Sequence, residues 1–230
     1  MQQEELGAEF GISTAALYAG GYAPPGGQVI VESYDGSSWT EVGDLTTGTA
    51  RYHYSGFGTA TAGAVVGGGG PNPGNVETWD GSSWTEVADI NTARVNIGAS
   101  GQGTTTAAIV MGGEDPGPTA LKNTESWNGS AWTEVNDLNT GLFASGYAGT
   151  QAAAAMFGGL NPGVATHEQW DGTNWITSAD LNAGKKWHAS AGSAATALAA
   201  TGNPAPPAPA TTEEFGGATS ATEAVDVDFD

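Results

Sequence analysis

The chain has 230 residues, 25 acidic against 5 basic side chains, a net charge of −20 and no cysteine. Such an excess of acid repels nucleic-acid phosphates and anionic membrane surfaces, so neither is expected as a partner. The missing cysteines exclude disulfides and thiolate metal sites, and no stretch is long and apolar enough to span a bilayer.

In chain order, the start MQQEELGAEFG carries neither the basic region nor the apolar run of a signal peptide. An apolar run LYAGG then closes on Gly20 and Gly21, and the phrase VESYDGSSWTEVGDL follows from Val31. The same pair of features returns three times. AVVGG ends at Gly67 and Gly68 before VETWDGSSWTEVADI, IVMGG at Gly112 and Gly113 before TESWNGSAWTEVNDL, and MFGG at Gly158 and Gly159 before HEQWDGTNWITSADL. A fifth, weaker copy runs from ALAATG to Glu213, Glu214 and Phe215. The last Trp of each phrase, Trp39, Trp84, Trp132 and Trp175, recurs every 43 to 48 residues, a period that signals stacked repeats. Asp-Gly or Asn-Gly between two aromatic-bearing runs is a hairpin turn, since Gly adopts the positive backbone angles cheaply. Each unit therefore reads as four short antiparallel strands. The chain as a whole reads as one all-β domain, a five-bladed β-propeller with units at about 1–48, 49–93, 94–141, 142–184 and 185–230.

An apolar strand ending in Gly-Gly, an acid near an aromatic-Asp pair, a Trp, and a unit opening on Arg51 or Arg94 together resemble the kelch repeat over nearly the whole chain. The resemblance implies that the glycine pairs, the aromatics and the Trp residues are structural. The wording Trp-Asp-Gly-Ser-Ser-Trp is also similar to kelch-like proteins of marine bacteria and their phages. Unit five lacks a Trp in its last strand, and unit one has Glu4 and Glu5 where Arg51 and Arg94 stand, so closure of the ring within one chain is left open.

Residues that depart from the repeat are the binding candidates. The paired cations and aromatic of Lys185, Lys186, Trp187 and His188 form one group. The loops after the glycine pairs form another, with Tyr22 in the first and Pro204, Pro206 and Pro207 in the last. The closing run AVDVDFD would place Asp226, Asp228 and Asp230 on one side of a final strand. His53, His167 and His188 share no ligand spacing, so no transition metal or organic cofactor is expected. Weak calcium or magnesium at a ring of Asp44, Asp89, Asp137 and Asp180 is the one exception the acids leave open. Glu32, Glu77, Glu125 and Glu168, like Glu41, Glu86 and Glu134, fall at matching unit positions, so they are expected to serve the blade. The stretch lacks the spacing of a sialidase Asp-box, and a radical copper oxidase needs a cysteine.

The function expected is a non-enzymatic binding or structural one. Its concrete form is a phage virion component, a capsid decoration protein or a tail or fibre appendage, attached in multiple copies to virion proteins or to a host-surface glycan or receptor. It would be made without a signal peptide and reach the virion or extracellular space by lysis. The alternative is an extracellular carbohydrate-binding or carbohydrate-active propeller, a lectin or a glycoside hydrolase. The acid excess fits saline surroundings, where screening reduces self-repulsion.

Overall fold

The computed structural model describes residues 7–23, 26–47, 53–69, 73–160, 164–200, 202, 212–216 and 225–227. These residues form five four-stranded antiparallel sheets around a central axis, a five-bladed β-propeller, with no helix among the described residues. Blade 1 comprises β1 (Ala8–Ile12), β2 (Ala15–Ala23), β3 (Gly26–Tyr34) and β4 (Trp39–Glu41). Blade 2 comprises β5 (Ser55–Thr59), β6 (Ala62–Val66), β7 (Val76–Trp79) and β8 (Trp84–Val87). Blade 3 comprises β9 (Gly98–Ala99), β10 (Ala108–Met111), β11 (Thr124–Trp127) and β12 (Trp132–Glu134). Blade 4 comprises β13 (Gly146–Gly149), β14 (Ala154–Phe157), β15 (His167–Trp170) and β16 (Trp175–Thr177). Blade 5 comprises β17 (Ala189–Gly192), β18 (Thr196–Ala200), β19 (Thr212–Gly216) and β20 (Val225–Val227).

Within each sheet the strands lie in sequence order, the first innermost and the last at the rim. The turn between third and fourth strands is set locally. Asp35 Oδ1 accepts the N–H groups of Ser37 (2.8 Å) and Ser38 (2.9 Å), and Asp80 does the same for Ser82 (2.8 Å) and Ser83 (2.9 Å). Hydroxyl bonds from Ser37 and Ser82, followed by these backbone bonds, hold both exposed carboxyls down at about 2. Asn128 and Asp171 make the matching turns.

Alternate residues along a strand point to opposite faces of the sheet, so every blade has a forward face toward the next blade and a rear face toward the previous one. The cores lie between blades. Phe57, Ala64, Val66 and Val76 on the forward face of blade 2 meet Trp127 and Trp132 on the rear face of blade 3. Ile109 and Met111 of blade 3 meet Trp170 and Trp175 of blade 4, and Phe10, Leu17 and Val31 of blade 1 meet Trp79 and Trp84 of blade 2. In each phrase the two aromatics pack on each other with ring centroids 5.1 to 5.5 Å apart.

The repeated Glu is the polar clamp of the junction. Glu125, fully buried, accepts the N–H groups of Asn91 (2.7 Å) and Thr92 (3.2 Å) in the linker leaving blade 2. Glu168 does so for Asn139 and Thr140, both at 2.8 Å, Glu213 for Asn182 at 2.6 Å, and Glu77 for Thr46 at 2.7 Å. The expectation that these acids serve the blade holds for Glu77, Glu125 and Glu168, whereas Glu32 is exposed. A buried cation joins two clamps: Arg94 Nη1 lies 2.6 Å from Glu125, and Lys185 Nζ 3.2 Å from Glu213. The glycine pairs have a related reason. Gly112 and Gly113 are both left-handed (φ 59° and 101°), and the Gly113 N–H donates to the Leu142 carbonyl of the next linker at 2.8 Å. A Cβ on Gly112 would run into that same carbonyl.

Trp39 departs from the structural role that the kelch resemblance implies for the repeated Trp residues. Trp39 is 50% exposed, while Trp84, Trp132 and Trp175 are 5 to 6% exposed, because each Trp is covered by the forward face of the preceding blade and blade 1 lacks such cover. Pro204, Pro206 and Pro207, and Asp228 and Asp230 of the closing run, lie outside the described residues.

Candidate functional site at the mouth of the channel

The four residues singled out as a cation and aromatic group are divided by the fold. Lys185 is 3% exposed and paired with Glu213, occupying the unit position that Arg94 fills in blade 3. His188 is also buried, its ring tilted over Phe157 at 5.6 Å, and burial beside Lys185 pushes its pKa down to about 4. Lys186 and Trp187 remain at the surface. The Trp187 side chain is 43% exposed and the Lys186 ammonium sits 5.2 Å from its ring centroid, a cation–π pair.

Trp187 holds its position through a backbone feature shared by four blades. His53, Asn96, Ala144 and Trp187 all have left-handed φ, from 48° to 61°, and each lies five residues before a glycine at or near the end of its innermost strand, Gly58, Gly101, Gly149 or Gly192. This conformation costs an ordinary residue about 1 kcal/mol or more, so the surroundings must enforce it. They do so by linking adjacent blades: the Asn96 N–H donates to the His53 carbonyl (2.8 Å), and the Trp187 N–H to the Ala144 carbonyl (2.9 Å). The shared spacing ahead of the glycines was the sequence signal for this ring, but the residue types differ so much that it was missed.

The ring surrounds the channel mouth on the face that carries the loops after the glycine pairs. Glu114, the first residue of the third loop, accepts from Asn96 Nδ2 at 2.6 Å. Its charge favours protonated His53, but desolvation acts more strongly and lowers the His53 pKa. The loop is ordered by Asp115, whose Oδ1 accepts the N–H groups of Gly117 and Thr119, both at 2.9 Å. Inside the channel the Tyr147 phenol, its pKa raised by burial, lies near Ser55 of β5 and Glu9 of β1, so its ring reaches across the axis. Tyr22 is half-buried and does not stand in a loop: β2 and β3 continue as a hairpin, with Tyr22 paired to Gly27 and Ala23 to Gly26. Asp44, Asp89, Asp137 and Asp180 are all exposed, and no group of three or more metal-ligating side chains occurs among the described residues.

The site thus offers an aromatic face with a cation above it ahead of blade 5, and at the matching positions ahead of blades 2 and 3 a half-buried imidazole, His53, and Asn96 bonded to the Glu114 carboxylate. On the opposite face a groove of about 780 Å³ runs between blades 4 and 5, lined by Gln102, Thr150, Gln169, Trp170, Asp171 and Ile176 among others. Ile176 is 54% exposed there.

No family model matches the chain, and no curated protein matches it. Among solved structures the chain is similar to one titled "Structure of YjhT", with a TM-score of 0.75 at 12% identity, covering 96% of this chain and 83% of that one. At that identity the likeness establishes the fold, a β-propeller, and nothing finer.

Proposed function

We propose that this propeller is a non-enzymatic attachment module in a phage virion, a capsid decoration protein or a tail or fibre appendage present in multiple copies. The observation that carries this reading is the exposed Lys186–Trp187 pair at the channel mouth. The repeated phrases are consumed by the blade junctions, so specificity for a partner must come from positions where the units differ, and this pair is the exposed part of such a position. Support also comes from the resemblance of the repeated wording to kelch-like proteins of marine phages. Arg94 and Lys185 stand in buried ion pairs, so a partner faces an acid-rich surface on which, among the described residues, Lys186 and Trp187 form the accessible cation–aromatic shelf. The partner is a capsid or tail protein, or a host-surface receptor.

Proteomics of purified particles tests the location: the chain co-purifies with capsid or tail proteins, and recovery only in soluble extract overturns the reading. The double variant Lys186→Ala/Trp187→Ala is expected to lower occupancy on particles with little change in Tm. A glycan-binding reading is favoured by one feature, the groove beside Ile176 and Trp170, whose amide and hydroxyl groups suit a neutral sugar. Binding on a glycan array that is lost in Ile176→Asp would transfer the function there.

A further inference from the structure

Three blade junctions are built from the same parts, a forward face, a linker, a clamp Glu and a Trp pair, and the junction of blades 4 and 5 keeps the clamp, Glu213, with Phe215 in place of the pair. The two surfaces that would make a fifth junction carry exposed apolar side chains among the described residues. On blade 1, Val31 points into the core with blade 2, so its neighbours Ile30 and Glu32 point to the rear; Ile30 is 42% exposed, Trp39 50%, and Glu32 is exposed too. On blade 5, Ala197 and Ala199 pack on Phe157 of blade 4, so Leu198 between them points forward, and it is 42% exposed. The innermost strands agree. Ser190 turns back to the Tyr147 carbonyl at 3.1 Å, leaving Ala189 and Ala191 exposed, and Glu9 is exposed between buried Ala8 and Phe10.

We propose that these faces are the two halves of a head-to-tail contact between copies of this chain, the forward face of blade 5 of one copy seated on the rear face of blade 1 of the next. The occupant follows from the repeat. The surface that covers Trp84, Trp132 and Trp175 is in every case the forward face of a blade of this chain, and blade 5 presents the remaining one. A second copy therefore brings the counterpart of an interface the molecule already uses three times. Such a contact is heterologous, so it extends beyond a dimer unless its rotation closes a ring. Glu9 and Glu32 on one side and Glu214 on the other are carboxylates, so added salt strengthens the contact.

The absence of native cysteine makes the test direct. Single variants Ile30→Cys and Leu198→Cys are treated with a short bis-maleimide, separately and mixed. The expected result is a dimer in the mixture well above that in either variant alone, and higher multimers from the double variant. Trp39→Asp is expected to abolish both, with circular dichroism and Tm unchanged because Trp39 is half exposed; Trp187→Ala leaves them intact. Crosslinks confined within one chain, equal yields in mixed and single samples, or a monomer in sedimentation at low and high salt alike would overturn the proposal. None of these outcomes bears on whether the protein is found on particles.

Discussion

Trp39 and Trp84 occupy the same place in an identical stretch, DGSSWTEV, yet one is half exposed and the other 5% exposed. Truncating a buried Trp removes its transfer energy and leaves a cavity, so Trp84→Ala is expected to cost about 3 to 5 kcal/mol, whereas Trp39→Ala should cost under about 1 kcal/mol. Urea denaturation of the two variants measures the difference, and equal losses would contradict the packing described. The clamp residues allow a second comparison. Blade 4 has Leu142 where blade 3 has Arg94, and its Glu168 is still held by the Asn139 and Thr140 N–H groups. Arg94→Leu therefore converts one natural clamp into another, while Glu125→Ala leaves the Arg94 guanidinium buried without its counter-charge. The Glu125 variant is expected to lose about 3 to 5 kcal/mol and the Arg94 variant distinctly less. The reverse order in the same denaturation series would show that the cation, rather than the linker N–H groups, holds the junction.

At the scale of the blade, the junction between blades 4 and 5 differs from the others in chemistry. His167 stands where other blades have Val31, Val76 and Thr124, and with His188 it flanks Phe157, at 6.0 and 5.6 Å between ring centroids. Both imidazoles are buried, and desolvation lowers both pKa values. For His167 the Ala179 carbonyl, Asp180 and Glu168 oppose the shift; for His188 the Lys185 charge adds to it. A histidine with a depressed pKa binds its proton more readily in the unfolded chain, so stability is full above about 6.5 and declines as pH falls toward about 4. For His188 that decline amounts to at most about 3 kcal/mol. Thermal melts from neutral pH to pH of about 4.5 should show a falling Tm, and His188→Phe should flatten the slope. Asp35 and Asp80 remain ionised through this window, since their carboxyls are held down at about 2. A pH-independent Tm in wild type would refute the assignment of neutral, buried imidazoles.

For the whole molecule, the decisive quantity is the net charge of −20 spread over five blades. Self-repulsion acts over about 10 Å at low ionic strength and is cut to a few ångström near 1 M salt, whereas the buried Arg94–Glu125 pair is shielded from that screening. The Tm is therefore expected to rise with sodium chloride, and a scan at fixed pH measures it. A fall would mean that surface attraction outweighs repulsion.

Much of this plan was legible in the sequence, for physical reasons that are local. The Asp35 and Asp80 turns depend on residues two and three positions away, and the glycine pairs need positive φ wherever they occur, so both announce themselves in one dimension. Repetition of these signals determined the count of five sheets with four strands each. The site was legible only in part. Lys185 and Lys186 are adjacent and identical in type, but one meets Glu213, some thirty residues later in the chain, while the other reaches the channel mouth. The left-handed ring of His53, Asn96, Ala144 and Trp187 went unread because its cause is hydrogen bonding between adjacent blades, not residue type. Trp39 and Trp84 mark the boundary most clearly. The sequence alone determined their identical strand, turn and ring pair, since those depend on near neighbours. Only the tertiary structure decided which is buried, because burial depends on which forward face lies against the blade.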